Sequence, residues 1–98
     1  MSNVFPRSMK ASYPVAVAGD GCYIIDESGK RYLDGSGGAA VSCLGHSHPA
    51  VTGAIKAQLD QLAFAHTGFF TSQPAELLAS LLVEHAQEGI EHVYFVSG

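Results

Sequence analysis

The sequence has no tryptophan, only two cysteines, and only five lysines and arginines among its 98 residues. Each shortage closes off a class of function. Nucleic acid and anionic lipid are gripped by a basic stripe. Five cations against nine acidic residues, a formal net charge of -4, do not make one, so neither partner is expected. Cys22 and Cys43 stand alone, without metal-ligand or redox spacing. They read as buried, reduced thiols, which fits a cytoplasmic location. No apolar run approaches the roughly 20 residues of a membrane helix. The opening Met1-Ser2-Asn3-Val4-Phe5-Pro6-Arg7 has no apolar stretch of the secretory-signal kind. Charge is scarce as well, at 14% of residues against 47% hydrophobic. That balance is too apolar for a disordered tail. It predicts surface that further chain or a partner subunit covers.

What is present falls into three stretches. Residues 1–14 carry two prolines and little periodicity, and read as an extended arm. Residues 15–48 hold short β-prone runs, Val15–Ala18, Cys22–Ile25 and Arg31–Asp34, separated by the turn signals Gly19-Asp20-Gly21 and Asp26–Lys30. They predict a small antiparallel meander, followed by the glycine-rich corner Gly35-Ser36-Gly37-Gly38. Residues 49–98 open with Pro49, suited to the first turn of a helix. Val51, Ala54, Ile55, Leu59 and Leu62 then form one apolar face at spacings of three and four. A second helix is expected after Thr71-Ser72, with Ser72 as N-cap, a stripe of Leu77, Leu78, Leu81 and Leu82, and a stop at Gly89. The last run, Val93-Tyr94-Phe95-Val96, reads as a strand buried on both faces, the first of a larger α/β domain. One such strand makes no sheet, so the chain reads as truncated.

The chemistry is sparse. Gly35–Gly38 lacks the spacing of either nucleotide-binding fingerprint. It is either a loop whose backbone approaches a ligand or a flexible corner. His46-Ser47-His48 has no third metal ligand at a helical offset; imidazoles bonded to backbone at a helix entry are expected. His66, His85 and His92 are isolated. No lysine, serine or cysteine is arranged as a nucleophile with its base, and Lys10, Lys30 and Lys56 lie in segments that look exposed. No catalytic residue and no metal site is expected. Ser97-Gly98 differs by position, because α/β folds place phosphates just after a buried parallel strand.

Three blocks carry a resemblance. Gly21–Asp34 resembles the opening meander of class III (ω-type) aminotransferases. Gly38-Ala39-Ala40-Val41 with Leu44-Gly45-His46-Ser47-His48-Pro49 is similar to their Gly-His-x-His-Pro signature. Tyr94–Gly98 resembles the strand entering their Gly-Ser-Glu-Ala cofactor-phosphate loop. The blocks stand in the family's order, from Tyr13 onward.

The resemblance implies fold type I of the pyridoxal-phosphate enzymes, an α/β class of which this chain is a part: meander, two helices, then the first strand of the large domain. It implies pyridoxal 5'-phosphate as cofactor, a homodimer, and transfer of an amino group from an amine or amino acid to a keto acid or aldehyde. The Schiff-base lysine would lie outside the sequence, so the chain alone is expected to be inactive. Ser97 and Gly98 would edge the phosphate loop. Gly38, Ala39 and Ala40 would line the substrate pocket. Phe69 and Phe70 would wall a pocket across the dimer interface or simply pack there. The alternatives are a glutamate-semialdehyde-type aminomutase of the same family and a non-catalytic oligomerisation or binding module.

Overall fold

The structure, a computed structural model, describes residues 2–97. In chain order it contains β1 (Ala16–Asp20), β2 (Tyr23–Asp26), β3 (Arg31–Leu33), α1 (Gly37–Ala40), α2 (Pro49–Gln61) and α3 (Gln73–His85). The chain divides after Lys56 into two compact units, with the boundary inside α2.

The first unit is built on the expected meander, an antiparallel sheet in the order β1-β2-β3. β2 is central, and its Tyr23, Ile24 and Ile25 are half-buried while Asp26 is buried. β-branched and aromatic side chains suit such a half-covered pleated surface. Asp26 builds the β2–β3 turn. Its Oδ1 accepts from the Ser28 N–H at 2.9 Å, the Ser28 hydroxyl at 2.6 Å and the Lys30 N–H at 3.0 Å. Its Oδ2 accepts from the Tyr32 hydroxyl at 2.9 Å. This is an aspartate replacing backbone partners inside a turn. The exposed Arg31–Asp20 pair at 3.2 Å adds little, as surface ion pairs do.

In the second unit α3 starts where expected. Ser72 is the N-cap residue by backbone, but its side chain makes no cap hydrogen bond. The Thr71 hydroxyl instead donates to the Glu76 carboxylate. The helix ends at His85, earlier than the Gly89 stop, because Ala86 turns to extended backbone. Gly89, at φ +92, serves the turn that follows.

Three expectations fail. Val93–Val96 has no regular secondary structure and forms no strand, and Tyr94 and Val96 are 90% and 72% exposed. A strand needs a neighbour to take its N–H and C=O groups, and the described residues offer it none. Cys22 and Cys43 are exposed rather than buried. The leucine stripe of α3 is also uncovered. No hydrophobic residue among those described is buried. The reason is common to all three: the periodicity marks which face wants cover, but not where that cover comes from. No described helix is long and apolar enough to cross a membrane.

Candidate functional site

The first unit concentrates its polar chemistry where β3 ends. Asp34 is tied to the residue just before β2 through its N–H, which donates to the Cys22 carbonyl at 2.8 Å. Its carboxylate then gathers three donors. Oδ1 accepts from the Gly38 N–H at 2.9 Å, and Oδ2 accepts from the Ser42 hydroxyl at 2.6 Å and from His46 Nε2 at 2.8 Å. Opposite an ionised carboxylate, Nε2 must carry the ring proton.

The segment enclosed by these bonds is unusual. Gly37, Gly38, Ala39 and Ala40 all have positive φ, between 58° and 68°. α1 is therefore a single left-handed turn, closed by the Val41 and Ser42 N–H groups on the Gly37 carbonyl at 2.8 and 2.9 Å. The left-handed region costs an L-residue roughly 1–2 kcal/mol, so Ala39 and Ala40 are held there against their preference. Gly38, Ala39 and Ala40 are exposed and lie together on this turn.

The histidine turn docks on the same sheet. The His46 N–H donates to the Gly21 carbonyl at 2.7 Å, forming an isolated antiparallel bridge. His48 behaves as expected, with Nδ1 accepting from the Ala50 N–H at 3.2 Å at the entrance to α2. His46 does not. Its imidazole bonds a carboxylate 12 residues upstream rather than backbone. That partner is Asp34, which no spacing in the sequence tied to the histidine pair. The available signal was an aspartate directly before Gly-Ser-Gly-Gly.

Hydrogen bonding sets the charge on both aspartates. The Ser42 hydroxyl, then the Gly38 N–H and His46, hold the Asp34 carboxyl below the usual carboxylate range. Asp26 is lowered first by the Ser28 hydroxyl, then by Tyr32 and the backbone of Lys30 and Ser28, against a raising effect of burial. A depressed folded value means stability that is complete above the ordinary aspartate value of about 3.9 and lost as pH falls through the lowered one. Acid titration below about pH 4 is therefore expected to lower the amide protection factors at Lys30 and Gly38 together, relative to their intrinsic exchange rates at each pH. Protection factors that stay unchanged there would contradict these pairings.

In the second unit, Phe69 and Phe70 sit on a tight turn whose N–H groups both donate to the His66 carbonyl at 3.0 Å. The Phe69 ring tilts over His66 with centroids 5.4 Å apart. Phe70, with Leu62, Ala79, Val83, Val93 and Phe95, lines a groove of about 760 Å³. Phe69 is 81% exposed and does not line it. Ser97 is exposed and lies in no helix or strand, and Gly98 lies outside the described residues. No cluster of three or more metal-ligating groups occurs among the described residues.

A family model described as "Aminotransferase class-III" matches residues 4–98. The chain belongs to the class-III aminotransferases. An uncharacterized aminotransferase of Bacillus subtilis, YodT, is 43% identical over 96 residues, covering 98% of this chain and 22% of that protein. The acetylornithine aminotransferase of Streptomyces coelicolor is 40% identical over 79 residues, 81% of this chain and 19% of that protein. Among solved structures, a transaminase from the marine bacterium Virgibacillus superposes with a TM-score of 0.84 at 29% identity, over 98% of this chain and 23% of that one. A PMP-bound aminotransferase from Vibrio fluvialis gives 0.74 at 31% identity, over 82% of this chain and 18% of that one. The class-III chain thus spans about a fifth of the length of the curated relatives it matches. The fold class is that of a partial α/β transferase.

A class-III aminotransferase implies pyridoxal phosphate, which needs a lysine amine and a phosphate cradle. Lys10, Lys30 and Lys56 are all exposed. The Lys30 Nζ lies 4.8 Å from the Tyr32 ring centroid, on the meander surface. Ser97 has no helix N-terminus beside it among the described residues. These residues do not by themselves hold the cofactor.

Proposed function

We propose that this chain supplies the opening segment of an aminotransferase that moves an amino group from an amine or amino acid to a keto acid or aldehyde. The match of residues 4–98 to the class-III family carries the reading. The PMP-bound relative from Vibrio fluvialis supports pyridoxal phosphate as the cofactor, whose ring serves as electron sink. In this reading Gly38, Ala39 and Ala40 form the substrate-facing wall, and their small side chains leave room for a bulky donor or acceptor. Phe69 and Phe70 add an apolar wall in a homodimer, and Ser97 and Gly98 border the phosphate loop. The Schiff-base lysine is none of Lys10, Lys30 or Lys56. A cytoplasmic enzyme fits the unpaired cysteines.

The test is an amino-transfer assay with a panel of amine and amino acid donors and a keto-acid acceptor, with borohydride trapping of the bound cofactor. Amino transfer, with the trapped adduct mapping outside the three lysines, is the expected result. Isomerisation of an amino aldehyde without transfer would replace the reading with an aminomutase. A stable adduct on Lys10, Lys30 or Lys56 would overturn the assignment of the lysine.

A further inference from the structure

We propose that Asp34 is a positioning residue: its carboxylate clamps the left-handed turn Gly37–Ala40 and thereby fixes the wall that meets the substrate's side group. The proposal rests on the aminotransferase reading above and assigns a determinant of donor selectivity within that site.

Three observations carry it. First, donors from three separate places converge on one carboxylate: the Gly38 N–H inside the turn, the Ser42 hydroxyl just after it, and His46 Nε2 from the histidine turn. Second, the turn needs holding. Ala39 and Ala40 have φ +59° and +68°, a conformation alanine seldom adopts. Backbone in such a conformation persists only where its surroundings over-determine it. The closing bonds within the turn come from Val41 and Ser42 alone, onto one carbonyl. Third, the clamp is anchored. Asp34 is bonded to the Cys22 carbonyl and His46 to the Gly21 carbonyl, both in the turn between β1 and β2. The fit around the turn is tight: a Cβ at Gly38 would stand 3.0 Å from the Ser42 hydroxyl oxygen. The turn is therefore an extension of the meander rather than a free loop.

A wall made of backbone and two methyl groups has no long side chain with which to adapt. Its position sets how much room a donor's side group has, and misplacement by about an ångström can cost on the order of a hundredfold in rate. Bulky donors should feel that displacement more than small ones.

The experiment uses the whole enzyme carrying Asp34→Asn or Ser42→Ala, each also combined with Ala40→Gly. Steady-state kinetics with alanine and with a bulky aromatic amine are measured beside hydrogen exchange of the Gly38 amide. In D34N, kcat/KM for the bulky amine is expected to fall roughly tenfold to a hundredfold, mainly through KM, with a smaller loss for alanine. Gly38 exchange is expected to quicken. In the A40G background the loss is expected to shrink, because glycine occupies the left-handed region without the clamp. S42A removes one contact and keeps the carboxylate, and is expected to shift the same readouts in the same direction by less. If D34N does not fold, S42A carries the test.

A loss that is equal for both donors, or undiminished by A40G, would mean that Asp34 acts in some other way and would overturn the proposal. So would a quickened Gly38 amide with unchanged kinetics. An unsubstituted enzyme that transfers no amino group would sink the aminotransferase reading instead, while Gly38 exchange would still decide whether the clamp exists.

Discussion

Gly45→Ala is expected to undock the histidine turn from the meander, with a cost of about 2–4 kcal/mol. Two effects add. Gly45 sits at φ +80°, and a Cβ there would stand 2.8 Å from the Gly21 carbonyl oxygen, a backbone atom that cannot rotate away. The conformational part alone is roughly 1–2 kcal/mol. The remainder is the displaced contact and the 2.7 Å bond from the His46 N–H to the Gly21 carbonyl that goes with it. Gly29→Ala is the matched control. Gly29 has a similar φ of +83° with open space around it, so it should show the conformational part only. Gly19→Ala isolates the other half. Its φ is ordinary, yet a Cβ would lie 2.5 Å from the His46 Cβ. Denaturant unfolding of the whole enzyme carrying each of the three variants, with amide exchange at His46, checks the order Gly45 > Gly19 and Gly45 > Gly29. A G45A variant no worse than G29A would mean that the close approach is not there.

The 98-residue chain on its own is expected to self-associate and to unfold without a sharp cooperative transition. The α3 stripe shows why. Leu77, Leu78, Leu81 and Leu82 are between 45% and 64% exposed. Fully covering such a side chain is worth about 1.5–3 kcal/mol, so covering the exposed half of four of them offers on the order of 4 kcal/mol. Domain stabilities are about 5–15 kcal/mol, so association competes with folding on equal terms. The exposed Phe69, Tyr94 and Val96 add to the same surface. Sedimentation velocity with dye binding to apolar surface measures it. A monodisperse monomer with a steep denaturant transition would contradict the exposure described above.

Much of the local architecture was legible before any coordinates. The alternation of short β-prone runs with Gly-Asp-Gly and Asp-Glu-Ser-Gly-Lys located all three strands within a residue or two. Pro49 and the Thr71-Ser72 pair located both long helices, because helix starts are set by neighbouring residues. The family blocks were readable for the same reason: they are contiguous. The failures involve partners distant in sequence. Strand formation at Val93–Val96 needs a partner strand, which no local property of the run supplies. The exposure of Cys22 and Cys43 depends on what packs over them, which no property of cysteine decides.

The site divides along the same line. Residue type and order alone gave the meander, the helix entries, the Gly-His-x-His-Pro turn and membership in the class-III aminotransferases, since all of these are written in neighbours a few positions apart. Only the folded chain showed that Asp34 reaches Gly38, Ser42 and His46 at once, and that Ala39 and Ala40 are left-handed. A carboxylate's partners and an alanine's backbone angle are set by which segments meet in space, and the meeting of β3's end with the histidine turn is a product of the sheet, not of either segment.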